Sequence, residues 1–248
     1  MKILFKLIHN ENIKLYWQKA TMFMLASLIL MAVFSSFIFH RYDIDPSRQN
    51  LWDATGGQLW LMIFVNIFSA IVASGIVANE FSWGTVKFLL IRPFSRSKIL
   101  LSKYIAMIIF SILLTCIIII FSASTNAILY DNHSGLTSSF LSLIEFFALK
   151  YVEVFMYATL AFMLSVVSRN SAFAVGFSIV TIFLGPLVAY YLPNKYLLFS
   201  HLDLTRYLDN SVSNQSAGLT YSLVVLGVYF ILFNLVSWTV FLKRDAGN

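Results

Sequence analysis

The sequence predicts an all-α polytopic membrane protein: six transmembrane helices preceded by a cytoplasmic interfacial amphipathic helix, with both termini cytoplasmic. Three observations carry that reading. The chain is 59% hydrophobic and only 11% charged, with a mean hydropathy of +0.81, whereas a soluble domain sits near half apolar and a quarter charged. Six apolar runs are each about 20 residues long, the length a bilayer core requires. Lys and Arg gather in alternate loops, which fixes orientation.

Residues 2–18, KILFKLIHNENIKLYWQ, place Ile3, Leu4, Leu7, Ile8 and Leu15 on one helical face and Lys2, Lys6 and His9 on another. Such a helix lies along the membrane surface. Glu11 interrupts its apolar stripe and is spaced i, i+3 from Lys14, close enough for a weak surface pair. Trp17 fits the interfacial aromatic belt. The apolar runs follow at Ala20–Phe39, Leu59–Ala78, Tyr104–Ser124, Tyr151–Val167, Ala172–Tyr191 and Tyr221–Leu242. The first begins too far from the N-terminus for a cleavable signal peptide, and no small-x-small site follows it. The whole of 1–248 therefore reads as one transmembrane domain.

With six spans both termini share a side. That side carries Lys2, Lys6, Lys14, Lys19, Arg169, Lys243, Arg244 and the bases of the second-to-third turn; the other carries Asp43, Asp45, Asp53, Asp131, Asp203 and Asp209. The basic side is expected to be cytoplasmic. The net charge of +6 follows from this asymmetry, so it gives no support to a nucleic-acid partner.

The turn itself, 80–98, is the most informative stretch. Glu80, Lys87, Arg92, Arg96, Lys98 and Lys103 concentrate charge in a chain that has little. Glu80, Gly84 and Lys87 share one helical face, while Phe81, Thr85, Phe88 and Leu89 form a mostly apolar stripe. Residues 80–91 are thus expected to form a short amphipathic helix at the membrane surface, ended by Pro93. A new helix then starts with Ser95 as N-cap and Phe94 and Ile99 as a hydrophobic staple. Arg96 and Lys98 fall in its first turn, where the helix dipole disfavours cations; that placement suggests an anionic lipid surface or an acidic protein partner.

The fourth run holds the deepest charges. An ionisable group in hydrocarbon costs several kcal/mol unless it is paired or faces water, and Lys150 and Glu153 at i, i+3 can neutralise each other. Two readings remain open: an outer interfacial helix over 140–149 with the span starting near Lys150, or one long helix that places Glu153 on a solvated cavity meeting substrate. Arg169, Asn170 and Ser171 make a tight polar turn into the fifth span. The outer loop 192–219 contains apolar residues expected to form short helices and ends in a polar coil.

Catalytic constellations are absent. The sequence contains no HExxH, GxSxG, GxGxxG or GxxxxGK[ST], so nucleotide hydrolysis by this chain is not expected. Cys116, the single cysteine, permits no internal disulfide and is expected to pack inside. Asn66 and Ser69, with Ser122, Ser124, Thr125 and Asn126, are expected to hydrogen-bond between helices.

The order of parts resembles the type-two ABC exporter permease family. The turn reads E-x-x-x-G-T, then L-L-x-x-P-x-S-R, then a helix-opening lysine: Glu80, Gly84, Thr85, Leu89, Leu90, Pro93, Ser95, Arg96 and Lys103. LAFMLSVVSRNSAFAVG around Arg169 is similar to that family's fourth-to-fifth turn. The resemblance implies that 80–96 couples to a separate ATP-binding subunit, which carries ATP and Mg, and that a second permease subunit completes the path. In such a dock Phe81, Trp83, Phe88 and Leu89 would anchor and Arg92 and Arg96 would set register. The small size resembles bacterial permeases of antimicrobial-peptide, lantibiotic-immunity and phenol-soluble-modulin systems. That implies a plasma-membrane location and an amphipathic peptide or lipid-like cargo, with Lys150, Glu153 and Asn66 as candidate path residues. The 24 Phe and 12 Tyr suit such a cargo better than an ion. The other class of function left open is a membrane immunity or sensor protein that binds a toxic peptide without moving it.

Overall fold

A computed structural model describes residues 2–42, 55, 57–82, 95–129, 136–192, 195–208 and 218–243. Among them the chain is helical, with short links and no strand. The helices are α1 (Lys2–Tyr16), α2 (Lys19–Tyr42), α3 (Met62–Ser82), α4 (Arg96–Leu129), α5 (Leu136–Ser168), α6 (Ser171–Tyr191), α7 (Leu198–His201) and α8 (Leu219–Lys243), with 3-10 turns at Gly57–Leu61 and Leu204–Tyr207. Six of them, α2, α3, α4, α5, α6 and α8, are long and apolar enough to cross a membrane.

Burial sorts the six into two sets. The apolar windows of α3, α5 and α4 are 61%, 56% and 44% buried, against 22%, 22% and 17% for α2, α6 and α8. The first three form an inner trio; the others present Phe, Leu, Ile and Val side chains outward, as lipid-facing helices do. Within the trio α3 and α5 are the most extensively packed pair. Both carry small buried residues, Ala70, Ala73, Ser74 and Ala78 facing the bundle from α3 and Ala158, Ala161 and Ser165 from α5, which lets two backbones approach closely in lipid. The Ser165 hydroxyl donates to the Ser74 carbonyl at 2.6 Å and accepts from the Ala78 amide at 3.0 Å. It therefore bridges the two groups that one turn of α3 would join to each other.

Of the two readings, α5 is the single long helix, not a separate interfacial helix over 140–149. No Gly or Pro interrupts the stretch, and the charges at Lys150 and Glu153 are neutralised by partners, so nothing ends the helix there. Cys116, expected inside, is exposed on α4; a small thiol is tolerated on a lipid-facing surface. Ser124 and Thr125 donate back to Ile120 and Phe121 of their own helix, whereas Asn126 does reach across. Its amide donates to Thr55 Oγ1 at 3.1 Å, and Gln58 Nε2 donates to Ser36 Oγ at 2.7 Å and to Asn126 Oδ1 at 3.4 Å. These buried bonds tie α2, the first 3-10 turn and α4 together.

The α5–α6 turn has the predicted polar character. Arg169 adopts φ 54°, and Asn170 caps α6 by accepting from the amides of Ala172 and Phe173. Further along α6, Gly185 is required by space: a Cβ there would stand 2.7 Å from a Phe199 ring carbon and 2.8 Å from the Tyr157 hydroxyl. That contact seats the segment after α6, which contains the expected short helices. His201 in α7 bonds Ser222 of α8 and the Lys195 carbonyl, and Tyr207 also bonds Ser222.

Candidate functional site

Two charged networks stand at opposite ends of the bundle. The first occupies the end where α1 lies, where α3 finishes and where α4 begins. Glu11 sits on α1, Glu80 in the last turn of α3, and Lys103 two turns into α4. Lys103 Nζ donates to Glu11 Oε2 at 2.9 Å, pairs with Glu80 Oε1 at 2.6 Å and donates to the Ile76 carbonyl at 3.1 Å. Its side chain is 1% exposed. All three ammonium protons thus have acceptors, which is what makes burial of a lysine tolerable. Lys14 closes the network from the outside, 2.9 Å from Glu11 Oε1 and 3.5 Å from Glu80 Oε1, with its side chain 54% exposed. Two acids and two bases balance, and three helices distant in sequence are held at one point.

The electrostatics of α1 follow from this. Burial opposes ionisation of Glu11, yet Lys103 and Lys14 outweigh it and hold the carboxyl below its ordinary value. Burial likewise works against the Lys14 ammonium, and Glu11 with Glu80 overcomes it, raising that group above its ordinary value. Glu11 and Lys14 are thereby both kept charged across the neutral range.

Two further contacts bring the remaining helix ends of this side to the same place. The Arg169 guanidinium lies 4.7 Å from the centre of the Phe81 ring, a cation–π distance, joining the α5–α6 turn to the end of α3. Arg96 Nη1 donates to the Leu242 carbonyl at 3.3 Å, joining the start of α4 to the end of α8. The basic residues Lys14, Lys19, Arg96, Lys98, Arg169 and Lys243 share this end of the bundle.

Sequence-predicted site residues fall out unevenly against this geometry. Trp83, Gly84, Thr85, Lys87, Phe88, Leu89, Arg92 and Pro93 lie outside the described residues, as does most of the amphipathic helix expected over 80–91. Glu80 and Phe81, expected to open that helix, instead complete α3, because Lys103 neutralises Glu80 and lets the apolar helix run on through it. Ser95 stands where an N-cap should, its carbonyl accepting from the Lys98 amide at 2.9 Å. Lys103, grouped by sequence with the bases of the turn, faces inward rather than toward a partner. Glu11 was legible only as a flaw in the α1 stripe; an acid on the apolar face of an amphipathic helix, with an unmatched lysine early in a span, was the available signal.

The second network lies toward the opposite end. Lys150 pairs with Glu153 at 2.7 Å and with Asp203 at 3.5 Å, and Asn66 Nδ2 donates to Glu153 Oε1 at 3.0 Å. The three candidate path residues are therefore neighbours, linking α3, α5 and the segment after α7. Asp203 also accepts from Thr205 at 2.6 Å and from Arg206 at 3.3 Å. Burial would raise its carboxyl, but Thr205, Lys150 and Arg206 together hold it below its ordinary value. Among the described residues no group of three or more His, Cys, Asp or Glu is placed to hold a metal.

Comparison with known proteins fits the membrane architecture. The family described as "Protein of unknown function (DUF2705)" matches residues 20–246. An uncharacterized protein of Bacillus subtilis (strain 168), YhcI, is 38% identical over 229 residues, which cover 81% of this chain and 73% of that protein. The uncharacterized membrane protein YdbK of the same strain is 32% identical over 248 residues, covering 94% of this chain and 99% of its own. With most of its length matched, this six-helix chain belongs to the DUF2705 family.

Proposed function

We propose that this chain is the membrane-spanning permease subunit of an ATP-driven bacterial exporter, and that a separate ATP-binding subunit grips the segment between α3 and α4. The observation that carries the reading is the Glu11–Lys103–Glu80–Lys14 network. It holds the two roots of that segment together and to α1, while Phe81–Arg169 and Arg96–Leu242 tie in the remaining helix ends of the basic side. A force applied to the segment is transmitted to α1, α3, α4, the α5–α6 turn and α8 at once, the requirement for a mechanical joint between a motor and a bundle. The basic side faces the cytosol in this reading, in keeping with the positive-inside rule. ATP and Mg belong to the partner subunit, and a second permease copy or paralogue completes an enclosed path. An amphipathic peptide or lipid-like molecule is the cargo best matched to the chain's aromatic-rich composition.

The structure changes how this should be tested. Glu80→Ala would strip a carboxylate from a buried network and report on folding rather than docking. Trp83→Ala and Phe88→Ala are better probes, because they remove anchors and leave the network whole. In nanodiscs containing this chain and a co-expressed ATP-binding subunit that co-purifies with it, both substitutions should lower stimulated ATP hydrolysis by roughly tenfold, the scale of losing an aromatic hot spot. Unaltered hydrolysis and co-purification in both variants would overturn the proposal. Resistance to a toxic peptide that survives a hydrolysis-dead partner would assign the chain to immunity without transport.

A further inference from the structure

α2 and α3 barely touch; α2 packs mainly on α4, and α3 mainly on α5 and α6. The space this leaves between them, roofed by α1, is a cavity of about 200 Å³. Its wall at the basic end is Glu11, Lys14, Gln18, Asn79 and Glu80, while its deeper wall includes Met24, Ile71 and Val72. Polarity therefore falls along the axis of α3 from Glu80 to Ile71, about 13 Å at 1.5 Å per residue. That is the order in which a lipid standing in a leaflet presents headgroup, glycerol and first methylenes.

We propose that this cavity is a binding site for a phospholipid whose headgroup carries both a phosphate and a primary ammonium, of the phosphatidylethanolamine type. The charge pattern selects that chemistry. Two recessed carboxylates, with side chains 10% and 15% exposed, line the site alongside the Asn79 amide, an acceptor-rich wall for an ammonium with three N–H groups. Lys103 stands behind them with its donors already placed on Glu11, Glu80 and Ile76. Lys14 is half exposed at the mouth, and Glu11 and Glu80 take two of its three donors; the third, with the Gln18 amide, is available to a phosphate oxygen. A quaternary choline has no N–H to give the carboxylates. A purely anionic headgroup carries no ammonium to place on them. The volume suits a lipid headgroup. The site is independent of any ATP-binding partner.

The test is native mass spectrometry of the full chain, titrated with equal amounts of phosphatidylethanolamine, phosphatidylcholine and phosphatidylglycerol. Preferential retention of the ethanolamine lipid, by roughly five- to tenfold as befits one or two charge-assisted hydrogen bonds, is expected. Ala20→Phe, at an exposed position on the cavity rim, should abolish the preference, and Lys14→Gln should weaken it with helix content unchanged by circular dichroism. Equal retention of the three lipids, or preference for the glycerol lipid, overturns the proposal. So does an Ala20→Phe variant that keeps full selectivity, or one that instead dissociates a dimer, which would give the groove to a second copy. The wild-type selectivity decides the matter even where a variant fails to fold.

Discussion

The two charged networks use the same residue types and differ in what they join. At the basic end Glu11, Lys103, Glu80 and Lys14 come from α1, α3 and α4, with Lys103 1% exposed. At the opposite end Lys150 and Glu153 are one turn apart on a single helix, 22% and 15% exposed, and Asp203 completes the group at 36%. A salt bridge within one turn fixes little that the helix has not fixed already; one that crosses three helices sets where they stand. The basic network is therefore the one centred on a fully buried lysine, while the opposite one, which reaches α3 and the segment after α7 through Asn66 and Asp203, centres on a more solvated lysine.

Cutting the basic network should give the largest effect. Lys103→Met removes the buried cation and leaves Glu11 and Glu80 with only the half-exposed Lys14; breaking a buried pair in this way costs about 3–5 kcal/mol. In detergent the variant should unfold at markedly lower temperature or fail to accumulate. The triple variant Glu11→Gln, Glu80→Gln, Lys103→Met removes the charges together and should recover most of the loss, since uncharged replacements of a whole buried network are often nearly neutral. A triple variant as unstable as Lys103→Met would show that the lysine acts through packing instead.

That network also marks where sequence reasoning stopped. The six spans were legible because each is a run of apolar residues as long as a bilayer is thick, and the helix start after Ser95 and the polar turn at Arg169–Ser171 were legible because such signals are local. Glu11 and Lys103 were not, since their meaning depends on helices nearly a hundred positions apart coming together. Lys103 followed five charges of a polar turn and was read with them; only the packing of α4 turns it inward. The continuity of α5 was obscured for the opposite reason: Lys150 and Glu153 suggested a boundary until Asn66 and Asp203 supplied partners from elsewhere.

Acid should distinguish the networks next. Glu11 has a folded-state value below its ordinary 4.5, so its contribution is fully present above about pH 4.5 and is lost as pH falls through the depressed value. Asp203, also depressed, from 3.8, keeps its contribution above about that pH and loses it as pH falls through its own depressed value. Lys14 is raised above 10.5, so its contribution is full below that value and lost only as pH rises beyond it. Thermal stability should be flat between these limits and fall on the acid side. Glu11→Gln should flatten the first part of that acid limb, while Asp203→Asn leaves it in place. The reverse assignment would put the acid-sensitive joint at the wrong end. Lys150→Ala should cost less than Lys103→Met, about 1–2 kcal/mol, because its partners are partly solvated and Glu153 keeps Asn66. A loss equal to that of Lys103→Met would erase the contrast between the two ends.

The smallest effect belongs to Arg169, where two terms oppose. Its guanidinium lies over Phe81 at 4.7 Å between two half-buried residues, worth about 1 kcal/mol, while its φ of 54° carries the cost that a side chain meets in the left-handed region. Arg169→Gly removes both the contact and the strain, so its stability should lie within about 0.5 kcal/mol of wild type. Arg169→Ala removes the contact and keeps the strain, and should be the less stable of the two. If Arg169→Gly were clearly worse than Arg169→Ala, the contact between the α5–α6 turn and α3 would rest on something other than backbone geometry. Because Phe81 ends the helix that also holds Glu80, a double variant with Glu80→Gln should show coupling beyond simple addition. Arg169 combined with Lys150, at the other end of α5, should show none.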